Sequence, residues 1–169
     1  MIFKVETGEG FSDSNSYSDI IYADEYISFY FPSDISWATK SESEKELALI
    51  MATSFVDNLL RWSGSIYNST QALRWPRSSF RDSEGRLVEA GTIPTKIKNA
   101  VVVMALESLS NDIYDGGVLI TSQKYGSSSE TYAGPVRDGG NFHALNILDD
   151  FKSTGYGANN SSMITVRRA

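Results

Sequence analysis

The chain has 169 residues, 41% hydrophobic and 21% charged, with no cysteine, one histidine and a formal net charge of −6. That length fits one domain with a real core, and no window approaches the roughly 18–20 continuous apolar residues of a membrane span. The missing cysteines exclude disulfides and Cys/His zinc sites.

The charge is uneven: residues 1–60 carry 11 acidic and 3 basic side chains, residues 61–100 carry 3 and 7, and residues 101–169 carry 7 and 5. The middle of the chain is therefore a basic island in an acidic protein. Nucleic-acid backbones bind by releasing counterions to Lys and Arg, so the chain as a whole is a poor non-specific ligand for phosphate. The island itself suits nucleic acid and an acidic protein surface equally. The opening "MIFKVETGEGF" has no apolar core of signal-peptide length, so the chain is expected to stay in a cytoplasm.

In chain order, "SDIIYADEYISFYF" predicts a first helix, with Ser18 as N-cap, Ile21, Tyr22, Tyr26, Phe29 and Tyr30 at helical spacing, and Pro32 as the stop. "SESEKELALIMATSFVDNLLRW" predicts a second, opened by the overlapping capping boxes Ser41–Glu44 and Ser43–Glu46 and carrying Leu47, Ile50, Met51, Phe55, Leu59 and Trp62. The third starts at Pro94 and runs through "TKIKNAVVVMALESLSNDIY", its stripe of Ile97, Val101, Met104, Ala105, Leu109 and Ile113 widened by Ala100, Val102, Val103 and Leu106. So wide a stripe implies burial on most sides or against another chain. After "DGG", two β-prone runs around a Gly/Ser turn predict a hairpin arm at about 118–135. A short helix "NFHALNILDDF" follows. The expected fold is mainly α: a small bundle of three to four helices with a β-hairpin arm, a helical domain over 1–154 and an extended tail over 155–169. That tail is Gly/Asn/Ser-rich and then reads Met163, Ile164, Thr165, Val166, Arg167, Arg168, a β-prone run suited to adding to another chain's sheet edge.

The search for chemistry yields no catalytic constellation. "TGEG" lacks the Lys and Ser/Thr of a P-loop, and "GGNFHALN" lacks the further glycine of a dinucleotide fingerprint. His143 has Asp138, Asp149 and Asp150 near it in sequence but no nucleophile spacing. The acidic pairs Asp24–Glu25 and Asp149–Asp150 diverge by about 100° on a helix, which favours a solvated face over metal binding or acid/base work. No catalytic residue, metal ligand or cofactor is expected.

The most unusual stretch is "ALRWPRSSF". Trp75 before Pro76 is forced out of helical geometry, so Arg74, Arg77 and Arg81 project from a stiff loop around a large aromatic. Three readings stand. Trp75 plugs the core; or it stacks on a base while Arg74, Arg77, Arg81, Lys96 and Lys98 hold phosphates; or the Trp/Arg cluster anchors a subunit contact.

These residues also carry a resemblance. "NSYSDIIYADEYISFY", Trp37, "SEKELALIMATSFVDNLLRWSG", "QALRWPRSSFRDSEGRLVEAGTIPTKIKNAVVVMALESL" and "SQKYGSSSETYAG", in that order, resemble the tailed-phage head–tail adaptor family over roughly residues 1–150. Many of its members carry the label of a putative DnaT-like single-stranded-DNA-binding protein. Asn15, Ser16 and Tyr17 match the family's Asn-Ser-Tyr; Leu73, Trp75, Pro76 and Arg77 match its Leu-x-Trp-Pro-Arg loop; Ile93 and Pro94 match its helix start. The resemblance implies a non-enzymatic subunit of a homo-oligomeric ring, usually a dodecamer, beneath the portal at the virion head–tail junction, assembled in the host cytoplasm. Its implied partners are the portal protein, its own copies and the next tail component, whether nozzle, stopper or tail hub. Packaged DNA would pass through the ring without specific binding, and no membrane is involved. By the same analogy residues 163–168 would reach the portal, the 73–77 loop with Ile93 and Pro94 would be structural or lie between subunits, and neighbouring subunits would bury the wide third-helix stripe and part of the Trp75/Arg77 loop. The alternative is a single-stranded nucleic-acid-binding module built on the 61–98 segment.

Overall fold

The computed structural model describes residues 2–59, 62–109, 122–125, 128–131, 143–144 and 146–151. Within them stand helices α1 (Ile20–Tyr30), α2 (Glu42–Leu59) and α3 (Thr95–Ser108), a two-residue ladder of β1 (Ser65–Ile66) with β2 (Arg77–Ser78), and a hairpin of β3 (Ser122–Tyr125) with β4 (Ser128–Thr131). The fold is mainly helical and small, with the hairpin where the sequence placed it. Its antiparallel register pairs Ser122 with Thr131 and Tyr125 with Ser128. The short β1–β2 ladder was not anticipated, because two-residue strands carry no periodicity.

The cap of α1 is Asp19 rather than Ser18: the Asp19 carboxylate accepts the Tyr22 amide at 2.7 Å, while Ser18 is buried one residue earlier. The stripe on α1 also differs from expectation. The small Ala23 and Ile27 face the core, Tyr22 and Tyr26 are half-buried, and Ile21, Phe29 and Tyr30 are exposed.

Of the two capping boxes on α2, the first is built: the Ser41 amide donates to Glu44 Oε2 at 2.9 Å, and the Glu44 amide reaches the Ser41 hydroxyl at 3.4 Å. Ser43 lies inside the helix, so the second box has no helix end to cap. The buried face of α2 is Ala48, Leu49, Ala52, Thr53, Val56 and Asp57, and Leu47 is exposed. The helix is rotated from the face that its largest apolar residues predict. The small Ala48 and Ala52 lie on the buried side, Thr53 accepts the Tyr17 amide there at 3.3 Å, and Met51 and Phe55 are partly buried against the core.

Helix α3 is the centre of the core. Ile97 and the whole run from Ala100 to Leu106 are buried within this one chain, most extensively against α2 and also against α1. The width of its apolar stripe therefore needs no second subunit to explain it. Pro94 sits just before the first turn, and its carbonyl accepts the Ile97 amide at 2.9 Å. Ile113 lies outside the described residues. Residues 143–144 and 146–147 are helical and lead into a 3-10 turn at Asp149–Phe151, placing Ala144, Leu148 and Phe151 in the core.

Candidate functional site

The stretch from Trp62 to Arg81 is a heavily bonded loop. Trp75 is fully buried, with edge-on contacts to Trp62 (5.7 Å between centroids), Phe80 (4.9 Å) and Phe151 (5.9 Å). Such edge-to-face pairs add to the burial of a large apolar surface. The Trp75–Pro76 peptide bond is cis. Among the described residues the buried Trp75 Nε1 finds no acceptor.

The backbone around Trp75 is fixed from the far side by two residues remote in sequence. The Tyr17 hydroxyl donates to Asp57 Oδ1 and accepts the Trp75 amide at 3.0 Å, while Asp57 Oδ2 accepts the Arg74 amide at 3.0 Å. The Trp62 indole N–H donates to the Asp57 carbonyl at 3.1 Å. Burial, and then the charge of Asp57, raise the Tyr17 hydroxyl well above its ordinary pKa. Burial also raises Asp57, against the opposing pull of the hydrogen bonds from Tyr17 and Arg74. The proton between the pair accordingly belongs to Tyr17.

Arg77 is turned inward. Its guanidinium donates to the carbonyls of Ser63 (2.7 Å), Arg74 (3.1 Å), Gly64 (2.9 Å) and Trp62 (3.4 Å), and burial lowers its pKa. Five donors in a planar fork suit this task, which an ammonium could not reproduce. Trp75 and Arg77 thus form an internal brace. A base could stack on Trp75 only if the core opened, so these two of the nucleic-acid candidates offer no surface in this fold. Of the three readings of the loop, its geometry is that of the core plug.

The other candidates separate. Leu73 and Ile93 are half-buried against the core, and Pro94 introduces α3. Arg74 is exposed. Arg81 is exposed and donates to the Gly85 carbonyl at 2.8 Å. Lys96 is ion-paired with Asp150. Lys98 lies 5.9 Å from the centre of the Tyr22 ring on α1. Arg86, also in the basic island, is paired with Asp82 (2.8 Å) and Glu84 (3.2 Å). Two of the island's cations, Lys96 and Arg86, are therefore answered by the chain's own carboxylates. Residues 163–168 lie outside the described residues.

The glycine turn at "ETGEG" does cradle an anion, but the anion is the chain's own. The fully buried Glu6 accepts the amides of Gly8 and Gly10 (both 2.9 Å) and Phe11 (2.8 Å), and the Ser14 hydroxyl at 3.0 Å. Neighbouring backbone amides that converge on a carboxylate make an anion-binding concavity like a nest. The signal for Glu6 lay in its spacing to Gly8 and Gly10. None pointed to the Tyr17–Asp57 pair, because 40 residues separate the partners.

Asn15 holds the N-terminal segment through the Lys4 amide (2.9 Å) and the Ile2 carbonyl (2.8 Å), and Ser16 turns the chain by donating to the Ser18 carbonyl at 2.7 Å. Asp24 accepts from the Trp37 indole (2.6 Å) and Lys45 (2.8 Å), so it diverges from Glu25 as expected. His143 is helical and exposed, 5.8 Å from the Phe31 ring. Among the described residues no group of three His, Asp or Glu side chains gathers as metal ligands would, and no helix is long and apolar enough to cross a membrane.

The fold and this loop define a small, mainly helical domain organised around an internal Trp-Pro-Arg brace. By sequence, the family described as "Putative DnaT-like ssDNA binding protein" matches residues 1–169, and the chain belongs to that family. That description speaks of single-stranded DNA and does not mention a phage adaptor. No curated protein and no solved structure matches the chain.

Proposed function

We propose that this protein works by binding rather than by catalysis, and that its ligand is single-stranded DNA, held through Arg74, Arg81 and Lys98. The observation that carries the reading is the family match along the whole chain. Because Trp75 and Arg77 are buried, the reading rests on the exposed Arg74 and Arg81 and the half-buried Lys98, which form no ion pair with a carboxylate among the described residues. Binding through about three cations gives a log–log salt slope of about −2 for a single strand, far shallower than that of a strongly basic protein. The test is fluorescence anisotropy of a labelled oligothymidylate across a salt series. Binding with that slope, lost in R74A/R81A/K98A, supports the reading. No binding at low salt overturns it.

The second reading is the non-enzymatic head–tail adaptor: a subunit of a homo-oligomeric ring, dodecameric by analogy, that extends the DNA channel beneath the portal at the virion head–tail junction and receives the next tail component. It is favoured by the burial of Trp75 and Arg77, which gives the segment carrying the adaptor resemblance an architectural role. An acidic chain also suits a channel past which DNA must slide without sticking. On this reading, mass measurement finds a ring with portal protein present, and deleting residues 157–169 abolishes association with portal while leaving the helical fold intact. A truncated chain that still joins portal-containing heads removes the role of residues 163–168.

A further inference from the structure

Between residue 58 and residue 81 the sequence has four arginines and no aspartate or glutamate. An acid-free run of this kind is the part of an acidic chain best suited to a polyanion. Phosphate contacts alone leave the bases of a single strand in water, and the usual second contact is an aromatic ring on which a base stacks. Trp75 and Phe80 are closed to that role by burial, and Trp62 is half-buried against the same core. Tyr67, in the middle of the run, is 49% exposed.

The brace that buries Trp75 also presents Tyr67. Arg77 holds the carbonyls of residues 62–64 just upstream, and the Tyr67 amide donates to the Pro76 carbonyl at 3.2 Å. Gln71 ties the ends of the loop together: its side-chain amide donates to the carbonyls of Leu73 (2.7 Å) and Pro76 (3.0 Å), while its Oε1 accepts the Asn68 amide at 2.8 Å. Tyr67 and the exposed Arg74 therefore stand on one bonded loop. The ring rests at Gly91, where a Cβ would come within 3.3 Å of Tyr67 Cζ. A ring held this way loses little freedom when a base covers it. Two exposed acids flank the position. Glu9 lies between Gly8, which abuts Gly91, and Gly10, whose carbonyl accepts the Asn68 side-chain amide at 3.1 Å; Glu89 lies two residues before Gly91. They repel a phosphate but not an uncharged base, so stacking is the contact this position suits.

We propose that Tyr67 is the residue on which a base of the bound strand stacks, with Arg74 on the same loop taking a nearby phosphate. The inference rests on the single-stranded-DNA reading given above and adds to it a contact that carries no charge. The strand is thereby held by an unstacked base as well as by its backbone, which favours single strands over duplex, whose bases already stack on one another.

The test is the anisotropy titration of a labelled oligothymidylate at low salt with Y67A, Y67F and I66A, Ile66 being a similarly exposed apolar neighbour without a ring. Y67A should weaken binding about 5- to 100-fold, the range for one lost stacking contact. Its salt slope should not change, whereas R74A should make the slope shallower by about 0.7. Y67F, which keeps the ring, and I66A should both bind as the wild type does. An abasic strand of the same length should bind the wild type and Y67A alike, which a folding defect in Y67A would not produce, and far-UV circular dichroism checks that each variant is folded. Binding that is lost in R74A/R81A/K98A but unchanged in Y67A, or a Y67A loss that is equally large on the abasic strand, overturns the assignment of Tyr67 alone. Failure of the wild-type chain to bind at low salt overturns the DNA reading and this inference with it.

Discussion

Replacing Tyr17 by Phe removes one oxygen atom and tests whether the Trp-Pro-Arg loop is held from its far side as described. That oxygen donates to Asp57 and accepts the Trp75 amide at 3.0 Å, all within the buried core. Losing a hydrogen bond to a carboxylate is worth about 1.5–3 kcal/mol, and stranding a buried amide costs about 1–3 kcal/mol. Since the two losses share one site and the cavity is a single hydroxyl, the expected destabilisation is about 2–5 kcal/mol, a large share of the roughly 5–15 kcal/mol typical of a domain. Asp57→Ala strands the Tyr17 hydroxyl and the Arg74 amide but also relieves the burial of a carboxylate, so its loss should be the smaller of the two. The assay is urea unfolding followed by tryptophan fluorescence and circular dichroism, with equal slopes required before midpoints are compared. The double variant should show a coupling of about 0.5–3 kcal/mol between the two positions. A Y17F loss below about 0.5 kcal/mol, the range of ordinary surface changes, or a coupling of zero, refutes the reasoning.

Three further outcomes follow from the same geometry. Arg77→Lys keeps the charge but cannot satisfy four carbonyls, and should cost about 2–4 kcal/mol in the same unfolding assay. Gly8 has φ +115°, and a Cβ there would lie 2.1 Å from the Gly91 carbonyl oxygen, so Gly8→Ala should cost more than the backbone strain of about 1–3 kcal/mol alone; Gly85→Ala, at φ +79° with nothing within 4 Å, is the milder control. Because the Tyr17 pKa is raised in the folded state, the native protein keeps a proton that the unfolded chain releases near pH 10. Stability is therefore undiminished by this group below that pH and falls as pH rises past it, a fall that a pH series of melting temperatures should find reduced in Y17F.

Elements with long periodic signals were legible in the sequence: three helices, the Ser41–Glu44 box, the hairpin and the buried third helix. Which face of α1 and α2 turns inward was not. The largest apolar side chains suggested one face, but the smaller Ala23, Ala48 and Ala52 turn inward, as close packing between helices favours. A hydrophobic stripe counts residues, whereas a helix pair is set by how near the backbones can come. The polar core was hidden for a different reason. Tyr17 with Asp57, and Arg77 with the carbonyls of residues 62–64, are tertiary pairings between residues that each look ordinary in their own segment. Glu6 was the intermediate case, since its glycines were visible and their ligand was two residues away.

The burial of Trp75 and Arg77 changes what the family pattern can be taken to mean. Four of its matched positions, Tyr17, Trp75, Pro76 and Arg77, are buried in one bonded unit. Replacing any of them perturbs the fold before it touches a ligand. Loss of oligonucleotide binding in W75A would consequently report a core defect of about 3–5 kcal/mol as readily as a lost contact. The pattern identifies the scaffold, and the activity has to be sought on surfaces the pattern does not include. Those include the side chains of Arg74, Arg81 and Lys98. Arg81 and Lys98 lie outside the brace, whereas Arg74 joins it through its amide and carbonyl, so replacing Arg81 and Lys98 tests DNA binding with the brace intact.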